Sequence, residues 1–73
     1  MNPAPPADES RRRLHRAGWS VGEYAAGVGG GERWHILGFN GENVLDAKAA
    51  TQSEAWHRAC SQAGALGMLR RGP

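Results

Sequence analysis

His35 and Asp46 are the residues whose types come nearest to reacting groups, because a carboxylate beside an imidazole orients it and favours its charged form. A general base works in that way. The strand pairing described below puts the two opposite each other, but it brings no serine, cysteine or second acid beside them, so the pair is expected to be a polar cross-strand contact. No enzymatic activity is expected. His57 and Cys60 stand three apart, and with His15 or His35 they offer zinc-type donors. A structural zinc normally takes four ligands in recognisable paired spacing, and this chain has one cysteine, so no metal is expected. The glycine run at 27–31 suggests a phosphate loop, yet it feeds a strand rather than a helix and lacks the lysine and hydroxyl such loops use. It reads as a linker, and no cofactor is expected. Arg11, Arg12, Arg13, His15 and Arg16 form the dense basic cluster, and arginines of this kind neutralise phosphates without reading sequence.

The element that must position these residues is clearest at Thr51. A threonine followed three residues later by Glu54 is a capping box, and Ala55, Trp56, Ala59, Cys60, Ala63 and Leu66 follow at helical spacing. One amphipathic helix with one buried face results, and Gly67 is placed to end it. Ahead of it, Trp19 and Val21 alternate with Ser20, Gly22 and Tyr24 as a first strand, and 34–39 reads as a second. Asn40-Gly41 then predicts a two-residue type I′ hairpin into a third strand over 42–48. In that register Phe39 faces Glu42, Leu37 faces Val44, Ile36 faces Leu45, His35 faces Asp46 and Trp34 faces Ala47. The fold class is therefore α+β, a three-stranded antiparallel meander with a C-terminal helix on one face. A short N-terminal helix through Arg13, Leu14 and Arg16, capped by Asp8 or Ser10, is an option.

Seventy-three residues make one domain at most, and below ~80 residues a single core rarely supplies more than ~3–5 kcal/mol. Trp19, Trp34 and Trp56 are its expected anchors. Residues 1–17 read as a flexible Pro- and Arg-rich arm, 18–69 as the domain and 70–73 as a basic tail. Within 18–69, Arg33, Lys48 and Arg58 stand against Glu23, Glu32, Glu42, Asp46 and Glu54, a balance of −2, so the overall +2 comes from the ends. The lone cysteine fits a reducing cytoplasm, and no apolar run approaches the ~18 residues of a membrane span. A soluble cytoplasmic protein is expected.

The strand pattern leaves two sheet faces. Trp34, Ile36, Leu45 and Ala47 share the one assigned to the helix, while Leu37, Phe39 and Val44 share the other, flanked by His35, Asp46 and Glu42. An apolar patch of that kind calls for a partner or for cover by the segment containing Leu14. The expected function is a small non-enzymatic interaction module that binds another protein or itself through Leu37, Phe39, Val44, His35 and Asp46. The alternative is a nucleic-acid-binding accessory protein using Arg11, Arg12, Arg13, Arg16, Arg70 and Arg71.

The order of elements around 18–69 resembles in outline the double-stranded-RNA-binding domains and the HicB-type antitoxins, which use a related ββα core. The RNA-binding domains carry a lysine cluster at the start of the last helix. The matching stretch here, Thr51-Gln52-Ser53-Glu54-Ala55, has no lysine and carries an acid, which argues against that activity.

Overall fold

The computed structural model describes residues 5–25 and 33–67, in the order α1 (Ala7–Arg16), β1 (Ser20–Ala25), β2 (Trp34–Asn40), β3 (Asn43–Ala49) and α2 (Gln52–Ala65). The strands form one antiparallel sheet in the order β1-β2-β3. The α+β meander with a C-terminal helix is thus the fold, and α1 is added to it. The glycine run at 27–31, Met68 and Arg70–Arg71 lie outside the described residues.

Thr51 caps α2 as its spacing predicts, its Oγ1 accepting from the Glu54 amide at 3.2 Å. Only this half of the capping box forms among the described residues. The buried face of α2 is Ala55, Trp56, Ala59, Cys60 and Ala63, which pack with Ile36, Leu45, Ala47 and Ala49 of the sheet. Leu66 lies outside this face at the C-cap and is exposed, and Gly67 closes the end at φ 73°.

Two expectations need correction. The hairpin turns on Gly41 and Glu42 rather than on Asn40 and Gly41, so Asn40 pairs with Asn43, Phe39 with Val44, Leu37 with Asp46 and His35 with Lys48. Positive φ falls on Gly41 alone (65°), the pattern of glycine at the first central position, and a type I′ turn would also need it at the second. Asn40 is held as the last strand residue by its Nδ2, which donates to the Ala17 carbonyl at 3.1 Å, while Asn43 Nδ2 donates to the Asn40 carbonyl at 3.2 Å. The register differs from the expected one by two residues, and an even slip leaves every side chain on its face.

The second correction concerns the N-terminus. Residues 7–16 are a helix built into the core, not part of a mobile arm. Leu14 is fully buried and Ser10 nearly so, with Ala7 and Ala17 packed at the same face. That face rests on α2 and β1, so Leu14 does not cover the other side of the sheet. Neither Asp8 nor Ser10 caps the helix: its N-cap is Pro6, which makes no side-chain cap bond. Ser10 serves instead through its carbonyl, which accepts from Cys60 Sγ at 3.4 Å.

Candidate interaction surface

Because side chains alternate along a strand, the register fixes what shares the face opposite the helices. Three cross-strand rows result: Tyr24, His35 and Lys48; Gly22, Leu37 and Asp46; Ser20, Phe39 and Val44. Tyr24, Phe39 and Val44 are about half exposed, and Leu37 and His35 are partly buried among them. Among the described residues no helix lies over this face. The expected partner-binding residues Leu37, Phe39, Val44, His35 and Asp46 are therefore brought together on one surface, and Tyr24, Lys48, Ser20 and Gly22 join them. Glu42 sits in the turn and not beside Phe39.

The His35–Asp46 pair does not form as expected. His35 lies opposite Lys48, and its ring packs against Tyr24 with centroids 5.1 Å apart at 31°. Asp46 lies opposite Leu37, one row away. Among the described residues the His35 imidazole thus lies between Lys48 and Tyr24 in its row, without the expected carboxylate opposite it.

The outer edge of β3 is closed from the side. Asp46 N–H donates to Gln62 Oε1 at 3.0 Å and Gln62 Nε2 donates to the Asp46 carbonyl at 2.8 Å, so one amide side chain of α2 behaves like a strand residue. Arg58 Nη1 donates to the Lys48 carbonyl at 2.7 Å. These bonds block further strand pairing at that edge and leave the apolar face as the open feature beside it.

On the covered side, sequence reasoning missed a polar cluster. Glu23 accepts from Trp56 Nε1 at 2.6 Å and, with both carboxylate oxygens, from Gln52 Nε2 at 3.0 Å. The alternation Trp19, Val21, Glu23 was the available signal, since it points Glu23 inward and a buried indole N–H needs an acceptor. The cleft of about 280 Å³ beside it is lined by Pro6, Asp8, Arg11, Glu23, Gln52 and Trp56 among others. Its charged groups already have partners: beside the Glu23 bonds, Arg11 Nη2 pairs with Asp8 at 2.7 Å and its guanidinium lies 5.9 Å from the Trp56 ring. The arrangement ties α1, β1 and α2 together.

Arg11, Arg12, Arg13 and Arg16 are exposed on α1, with His15 between them. Arg11 alone of these makes an ion pair among the described residues. Among the described residues no group of three or more His, Cys, Asp or Glu is placed to hold a metal ion, and no helix is long and apolar enough to cross a membrane. No protein-family model, curated protein or solved structure matches the chain.

Proposed function

We propose that this protein is a non-enzymatic interaction module whose uncovered sheet face binds another protein or a second copy of the chain. The observation that carries this reading is the one-sidedness of the sheet: both helices pack on one face, and Tyr24, Leu37, Phe39 and Val44 stand together on the other. Grouped apolar exposure of this kind marks contact surfaces, whereas scattered exposed residues need no explanation. Asp46 and Lys48 lie at the β3 side, giving the patch a polar rim next to an apolar centre. Phe39→Glu tests the reading. The variant should keep the far-UV circular dichroism and tryptophan emission of the wild type and lose association, because a partner would have to bury an unpaired carboxylate. A folded variant with unaltered association would remove the face from consideration.

A second reading rests on α1, where Arg12, Arg13 and Arg16 are exposed on an ordered helix without ion pairs among the described residues. Three phosphate contacts would give a slope of log K against log salt of about −2.7 on duplex DNA. An Arg12→Ala, Arg16→Ala double variant should flatten that slope by about two-thirds. Duplex binding with an unchanged slope in the double variant would exclude α1 as the contact.

A further inference from the structure

Two glycines in adjacent strands stand in opposite situations. Gly38 lies on the covered face, where a Cβ would fall 2.7 Å from Val21 Cγ1, 3.1 Å from Leu45 Cγ and 3.3 Å from Trp19 Cε3. The core requires that glycine. Gly22 lies on the open face, its φ is not in the left-handed region, and a Cβ there would meet nothing within 4 Å. Nothing among the described residues requires it, although glycine inside a strand weakens the strand and often marks a close approach from outside. Its direct neighbour across the β1–β2 pairing is Leu37, the central apolar side chain of the face. A dent and a knob of matching kind therefore sit side by side on one surface.

We infer that the occupant of the open face is a second copy of this chain, packed sheet to sheet about a two-fold axis that runs along the strands between β1 and β2. The inference rests on the reading of the face given above and names its partner. Such an axis sets Leu37 of each copy over Gly22 of the other, an isologous fit in which the same patch serves both sides. It also sets Tyr24 over His35 of the second copy, extending the ring contact already present at 5.1 Å, and Phe39 over Ser20. β3 is left at the margin, so Asp46 and Lys48 stay hydrated at opposite rims and no like charges meet at the centre. Sheets packed in this way lie about 10 Å apart with inner side chains interdigitated.

The area limits the affinity. The overlap of β1 and β2, two strands wide at about 4.8 Å spacing and five residues long at about 3.4 Å rise, offers on the order of 200 Å² per copy, well below the ~800 Å² per partner of standard stable interfaces. The dimer is accordingly weak and reversible.

Sedimentation of the full chain from about 10 µM to about 1 mM tests this. The wild type should move from one copy toward two as concentration rises, and salt should change the dissociation constant little, since no ion pair lies at the centre. Gly22→Gln fills the dent in open space. It should raise the dissociation constant at least about tenfold with circular dichroism unchanged and the thermal midpoint of the monomer no lower than that of the wild type, and Phe39→Glu should hold the chain monomeric. A wild type that stays monomeric throughout overturns the second copy as occupant while leaving the reading of the face intact. A dimer unaffected by both substitutions overturns both.

Discussion

The two faces of the sheet are built from the same three strands and have opposite relations to the rest of the chain. On the covered face, Ile36, Leu45, Ala47 and Ala49 are buried, and a glycine is needed at 38 to let Trp19, Val21 and Leu45 close in. On the open face, Phe39 and Val44 are about half exposed, and a Cβ at Gly22 would meet no neighbour among the described residues. Close packing makes the first face intolerant of a single methyl group. The second carries apolar surface that is left about half exposed, which is the feature the proposed contact role would use.

The largest effect that would sharpen this contrast comes from Trp56, which fills the space between α1, α2 and the sheet and donates to Glu23. Trp56→Ala should cost ~3–5 kcal/mol, enough to unfold a domain of this size. An unchanged thermal midpoint would mean that α2 presents a different face to the sheet. Next in size is a pair of identical substitutions on opposite faces. Gly38→Ala should destabilise by ~1–3 kcal/mol through overpacking, while Gly22→Ala should lie within ~0.5 kcal/mol of wild type. Equal losses from the two in urea unfolding would erase the distinction between the faces.

Much of this arrangement is legible in the sequence. Thr51 and the apolar spacing from Ala55 to Ala63 specify α2, and alternation around Ile36 and Leu45 specifies which residues face it. The hairpin register is less legible, because Asn40-Gly41 is a strong turn signal and the competing bond from Asn40 to the Ala17 carbonyl joins residues 23 positions apart. Face assignment survives that error since the pleat has a period of two. The core role of α1 is hidden for another reason. Its packed side is Leu14 with the small residues Ala7, Ser10 and Ala17, and one large apolar side chain gives a weak apolar pattern beside four arginines. The breadth of the apolar arc on α2 was the signal for a second covering element: the buried side of α2 meets both the sheet and α1. The open face was visible as a patch, whereas the Gly22 dent beside Leu37 depends on the β1–β2 register, which joins residues 15 positions apart across the loop.

A smaller effect concerns the α1–α2 seam. Burial pushes the Cys60 thiol up from its ordinary range, opposed by the Ser10 side chain and by the charge of Arg13. A thiol whose folded pKa lies above its unfolded value contributes stability that is fully present below the unfolded pKa and is lost as pH rises through the folded one. Stability should therefore decline above about pH 8.5, and Cys60→Ala should remove that part of the decline. Identical alkaline slopes for the two proteins in urea unfolding would show that the thiol is not desolvated at the seam. Below that pH the native thiol should react with alkylating reagents far more slowly than the unfolded chain.

The most direct measurement is the unfolding free energy of Phe39→Glu, taken in urea at a concentration where the wild type is monomeric. Phe39 belongs to the open face and is about half exposed, so replacing it by a carboxylate removes only contacts with its row neighbours and should change stability by no more than ~1 kcal/mol, the range of strand propensity at an exposed site. A loss of ~3 kcal/mol or more would show that Phe39 is covered within the monomer, and the separation of the sheet into a folding face and a contact face would be wrong.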